Sequence, residues 1–178
     1  MARIYFHEDD FCQIEILPAE NLSFCLEQAE RISAFAGEHK AGLGYSEVFM
    51  RKDAPVSLYS KSITADTLQE YLGEILPEFD EVYTGYGTHE EKCSFTRAFG
   101  KDTNTVVFYS NKEALANHIW LTLDIMKSDD IVIARSILDA LAKINDFIIA
   151  DWGWAFVEPI KNIRSIDSYL NMRLKEFA

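Results

Sequence analysis

The chain has 178 residues, of which 48% are hydrophobic and 13% aromatic, enough apolar mass to fill a packed core and to exclude a disordered chain. Asp and Glu number 29 against 17 Lys and Arg, and the net charge of -12 disfavours nucleic acid and anionic membrane surfaces as partners. A basic protein is the better electrostatic match, although solubility alone also accounts for an acidic surface.

The opening MARIYFHEDDF has no apolar segment of signal-peptide type, and no window approaches the roughly 20 apolar residues of a membrane span. Cys12, Cys25 and Cys93 are odd in number and lack CxxC spacing, so they read as buried thiols of a reducing compartment. The expected location is the cytoplasm.

In chain order, Ala2 to Phe6 and Phe11 to Leu17 alternate as strands, with the acidic His7-Glu8-Asp9-Asp10 as a hairpin turn between them. Pro18 closes the second strand, and Leu22, Cys25, Leu26, Ala29, Ile32 and Ala36 recur at helical spacing through Glu20 to His39. AGLG (Ala41 to Gly44) breaks the pattern, and Tyr45 to Arg51 and Val56 to Lys61 read as strands around a KDAP turn. Thr64 caps the next helix, Asp66 favours its positive end, Leu68, Tyr71, Leu72 and Ile75 form its stripe, and Pro77 stops it.

Three β-rich runs follow, Glu81 to Tyr86, Lys92 to Phe99 and Thr105 to Tyr109, separated by THEE and GKDTN. Asn111 to Asn117 fits a helical turn or a loop, and His118 to Ile125 a strand. A helix starts at Ser128 or Asp129, burying Ile131, Ala134, Ile137, Leu138, Leu141 and Ile144. Phe147 to Val157 then form one core strand, with Trp152 and Trp154 on one side and Asp151 and Gly153 on the other. A last helix runs from Asn162 to about Met172 on a stripe of Ile163, Ile166 and Leu170. These elements predict a single α+β domain, a mainly antiparallel sheet with amphipathic helices packed on it.

No motif supplies catalysis or a cofactor. His89-Glu90-Glu91-Lys92-Cys93 lacks the second histidine of HExxH, and the His7 to Asp10 turn lacks the alternation and glycine of an EF-hand loop. Phosphate-cradling glycines and a GxSxG elbow are missing. No cofactor and no metal are therefore expected. An enzyme would need a site assembled from distant residues, for which His118, Asp124 and His89 are the candidates.

What recurs is carboxylate beside aromatic. Glu8, Asp9, Asp10, Asp80, Glu81, Tyr83, Tyr86, Glu90, Glu91, Trp152 and Trp154 are the candidate partner-binding residues, with aromatic anchors rimmed by acids. The plainer alternative for the two tryptophans is that both are core. Within residues 128–170, an amphipathic helix precedes Ile148-Ile149-Ala150-Asp151-Trp152, and Ile166, Tyr169 and Leu170 follow on a short helix. This order resembles a pattern seen in small bacterial immunity proteins of polymorphic toxin systems. The resemblance implies a non-enzymatic inhibitor that occludes the active site of one basic cognate toxin. An adaptor or regulatory binding module, and an enzyme, are the alternatives.

Overall fold

Every residue from Val106 to Tyr109 and from Phe147 to Ala150 is buried, the mark of strands covered on both faces. A computed structural model describes residues 2–42, 44–87 and 89–176, so Leu43 of the AGLG breaker and Thr88 of the THEE separator lie outside the described residues. The elements are β1 (Arg3–Tyr5), β2 (Ile14–Pro18), α1 (Leu22–Glu38), β3 (Lys40–Ala41), β4 (Gly44–Tyr45), α2 (Ala65–Leu72), β5 (Glu81–Tyr86) and β6 (His89–Lys92). They continue as β7 (Thr96–Gly100), β8 (Thr105–Lys112), β9 (Leu115–Leu123), α3 (Ser128–Ile144), β10 (Phe147–Asp151), β11 (Phe156–Pro159) and α4 (Ile163–Glu176).

Six strands form one sheet in the order β11-β10-β2-β9-β8-β7, antiparallel at every step. The fold is α+β with a mainly antiparallel sheet, as the strand patterns predict. Alternation along β8 sends Val107 and Tyr109 to one face, where Leu68, Leu72, Ala134, Ile137, Leu141, Ile166 and Leu170 from α2, α3 and α4 meet them. Val106 and Phe108 point the other way, onto Ile4, Phe6 and Val82 of a second, three-stranded sheet ordered β1-β5-β6. Further along that second face, Ile148 and Ala150 of β10 pack under Cys25 and Ala29 of α1. Helices thus cover one face, while α1 and the small sheet share the other. Among the described residues, no helix is long and apolar enough to cross a membrane.

Thr64 accepts a hydrogen bond from the Thr67 amide at 3.1 Å and caps α2 as expected. At α3 the cap is neither Ser128 nor Asp129. The buried carboxylate of Asp130 reaches back to accept from the Met126 and Lys127 amides at 3.0 and 3.1 Å. Asp130→Ala is expected to cost about 1–2 kcal/mol, read as a lower urea midpoint at unchanged slope.

Several elements differ from the sequence expectation. β1 and β2 are not a hairpin: His7 leads into a short 3-10 turn at Glu8–Asp10, and β1 runs parallel to β5 in the other sheet. Residues 46–57 are irregular and Leu58–Lys61 is a 3-10 turn, because Val48 and Met50 stay exposed and find no sheet to join. Leu26 is likewise exposed on α1, and α2 ends at Gly73, before Pro77. Residues 89–92 are not a separator: they pair with β5 as β6. Residues 111–117 are a hairpin, with Glu113 and Ala114 both at positive φ, the turn that suits the right-handed twist of β8 and β9.

The stretch from Phe147 to Val157 is two strands, not one. β10 ends at Asp151, a turn containing Ala155 at φ 49° follows, and β11 returns antiparallel. Trp152 and Trp154 therefore do not share a strand side. Trp152 packs in the layer under α1, and Trp154 against the core beneath α4.

Candidate functional site

Two surfaces carry chemistry. The first is the small sheet and the turn beside it. Ile4, Val82 and Phe6 anchor it to the large sheet, and the alternate positions of β1 and β5 turn Tyr5, Glu81 and Tyr83 outward. Tyr5 meets His7 edge-on at 5.1 Å, and His7 lies 6.2 Å from the Tyr86 ring. Burial, and then the Glu90 and Glu8 charges, raise the Tyr5 hydroxyl above its ordinary pKa. Among the described residues, Glu8, Asp9, Asp10, Glu90 and Glu91 are all exposed and none joins an ion pair.

Not every nominated acid is available. Glu81 lies between Arg3 at 3.0 Å and Lys92 at 2.7 Å, and the Lys92 hydrogen bond holds its carboxyl below the ordinary range. Asp80 accepts from the Ala2 amide at 2.6 Å. The tryptophans are also elsewhere: Trp152 is buried, and Trp154 is half-buried against Tyr169 under Arg173. Neither is an exposed anchor within the acidic rim.

The second surface is a cleft of about 820 Å³ where α1, the start of β2, β9 and residues 51–59 meet. Among the described residues, β2 and β9 share the register pair Glu15–Trp120, and the 3-10 turn at Leu58–Lys61 packs against both. Cys12 sits at the cleft in a turn closed by Phe11 donating to the Glu8 carbonyl and Gln13 to the Asp10 carbonyl. Its φ of 55° is a left-handed conformation that costs a non-glycine residue about 1 kcal/mol. The Cys12 Sγ lies 3.9 Å from His118 Nδ1. Glu15 accepts from Arg51 Nη1 at 2.7 Å and from the Trp152 indole at 2.6 Å, and the Arg51 guanidinium lies 4.4 Å over the Trp152 ring. One donor atom each from Cys12, Glu15 and His118 lies within 4.8 Å of the others.

Of the distant residues considered for catalysis, only His118 reaches this cleft. Asp124 lies past the far end of β9 and His89 on β6, so the three do not form one site. The partners His118 does acquire, Cys12, Glu15 and Arg51, were not legible as a group. His118 is more than a hundred residues from Cys12 in the chain, and no local pattern links them.

Burial pushes the Cys25 thiol up to about 11 and the Tyr109 hydroxyl up to about 12, and raises Cys12 and Tyr169 further. Groups with a raised folded pKa contribute stability in full below their unfolded value and lose it as pH rises through the folded one. The melting temperature is therefore expected to hold up to about pH 9, the ordinary thiol value, and to fall as pH climbs toward 11 and beyond. Thiol titration of the native protein with Ellman's reagent at pH 8 should read Cys93 alone, because Cys12 and Cys25 are buried. All three should react once the protein is unfolded in urea.

These observations define an α+β protein whose antiparallel sheet is helical on one face and shared on the other by a helix and a smaller sheet. Compared with family models, curated proteins and solved structures, the chain matches none.

Proposed function

We propose that the protein is a non-enzymatic binding protein whose acidic, aromatic face meets a basic protein partner. In the finer reading it is a cytoplasmic immunity protein that occludes the active site of one basic toxin. The observation that carries the proposal is that Glu8, Asp9, Asp10, Glu90 and Glu91 are all exposed and outside any ion pair among the described residues, with the Glu8 and Glu90 charges acting on Tyr5 and with Tyr86 exposed beside His7. Exposed tyrosine supplies rigid contact area, and unpaired acids attract the Lys and Arg that a nuclease directs at phosphate. The net charge of -12 extends that attraction beyond the contact itself.

The test is capture of partners by the tagged protein at low salt, eluted with a salt gradient. The expected outcome is one basic partner at one-to-one stoichiometry, toxic when expressed alone and harmless when co-expressed. Several substoichiometric partners, none of them toxic, would replace the immunity reading with that of an adaptor.

A second reading, an enzyme, draws on one observation, the meeting of Cys12, Glu15 and His118 in the cleft. The two readings separate by dose. A binding inhibitor protects only at one equivalent or more, whereas an enzyme protects at a small fraction of one.

A further inference from the structure

The geometry points to a zinc-type metal site in the cleft, with Cys12 Sγ, Glu15 carboxylate and His118 Nδ1 as three protein ligands and a fourth position open to the cleft. The inference does not depend on what the acidic face binds.

Cys12 and Glu15, three residues apart, and the distant His118 bring one sulfur, one oxygen and one nitrogen within 4.8 Å of one another. In a tetrahedral zinc centre, bonds of about 2.3 Å to sulfur and 2.1 Å to nitrogen place those two atoms about 3.6 Å apart. The Cys12 Sγ to His118 Nδ1 separation of 3.9 Å needs only a few tenths of an ångström of closure to match. The mixture of a soft thiolate, an imidazole and a carboxylate suits zinc or cobalt, and it disfavours calcium and magnesium, which take oxygen.

The surroundings resemble the outer shell of a metal centre. Arg51 and the Trp152 indole both bond Glu15 Oε2, at 2.7 and 2.6 Å, which fixes the carboxylate beside Cys12. Arg51 also donates to the Cys12 carbonyl at 3.3 Å, tying the cysteine turn to the same guanidinium. Phe11 packs its ring 5.5 Å from His118 and limits the ways the imidazole can turn. Thiolate and carboxylate together carry two negative charges, and the Arg51 guanidinium offsets one of them. The metal would then meet a net single negative charge and displace the Cys12 thiol proton on binding.

The test uses the 178-residue chain, reduced and stripped with EDTA, titrated with Zn²⁺ and separately with Co²⁺. One equivalent of Zn²⁺ should bind with release of a proton. Co²⁺ should give the visible bands of a tetrahedral site and a thiolate-to-cobalt charge-transfer band in the near ultraviolet. Cys12→Ser should abolish the charge-transfer band, and Cys93→Ser should leave it unchanged. His118→Gln lies at an exposed position where misfolding is not at issue, and it should weaken Zn²⁺ binding by more than about tenfold, since even outer-shell changes cost that much. No saturable binding, or binding of equal affinity in the His118→Gln variant, would overturn the assignment.

Discussion

Asp151→Ala is expected to destabilise the fold by about 3–5 kcal/mol, the usual cost of stranding one member of a buried ion pair. Asp151 is 2% exposed at the end of β10. Its Oδ2 accepts from Arg173 Nη1 at 2.6 Å and from the Tyr169 hydroxyl at 2.7 Å, and its Oδ1 accepts from the Trp154 amide at 3.2 Å. Arg173 in turn donates to the Leu123 carbonyl at 2.9 Å and lies 5.1 Å over the Trp154 ring. One carboxylate therefore ties β10, the turn after it, the end of β9 and α4 together.

Removing the carboxylate leaves the Arg173 guanidinium without a counter-ion and the Tyr169 hydroxyl without an acceptor where water reaches them poorly, so the loss exceeds that of an exposed pair. Urea unfolding should show a lower midpoint at constant slope. The control is the double variant Asp151→Leu with Arg173→Met. Apolar replacement of both partners should recover part of the loss, because the desolvation cost of both charges disappears while the buried Tyr169 hydroxyl stays without a partner. A single-variant loss below about 1 kcal/mol would mean that the pair behaves as an exposed one.

Reversing three charges together, Glu8→Lys, Glu90→Lys and Glu91→Lys, moves the net charge by +6, from -12 to -6. All three residues are exposed and outside any ion pair among the described residues, so stability should stay within about 0.5 kcal/mol of the parent. If the proposed basic partner docks on this face, its association should slow by about 10- to 1,000-fold at low salt, the range of electrostatic steering. The deficit should shrink near physiological ionic strength, where the screening length is about 8 Å. Stopped-flow association across a salt series reads this directly. An unchanged association rate would place the interface elsewhere on the molecule. The same variant should bind Zn²⁺ like the parent, since none of its three positions lines the cleft.

The run Ile148-Ile149-Ala150-Asp151-Trp152 and the later Ile166, Tyr169 and Leu170 are structural residues. Ile148, Ile149, Ala150, Ile166 and Leu170 are buried, and the Asp151 and Tyr169 of the pattern bond to each other at 2.7 Å. The pattern is thus the junction between β10 and α4, and its residues are spent on packing.

The sequence by itself determined the elements whose signal is local. α1, α2, α3 and α4 follow from apolar spacing of three and four, and the α2 cap from Thr64. β5, β8 and β9 follow from β-branched and aromatic runs, and the α+β class follows from the sum of these elements. Boundaries set by long-range pairing were not legible. An extended run such as Phe147 to Val157 reads the same whether it continues or turns back, because the choice lies with the strand that pairs with it. Residues 89–92 look like a polar separator until β5 supplies their hydrogen bonds.

The sites divide in the same way. The acids of the turn at Glu8–Asp10 and of β6 could be nominated one by one, and the tertiary structure decided which remain exposed and which, like Glu81, are neutralised by neighbours. The cleft belongs to the tertiary structure alone. Cys12 and Glu15 are three residues apart, but Arg51, His118 and Trp152 come from other parts of the chain, and only the packing of α1, β2, β9 and residues 51–59 brings the five to one cleft.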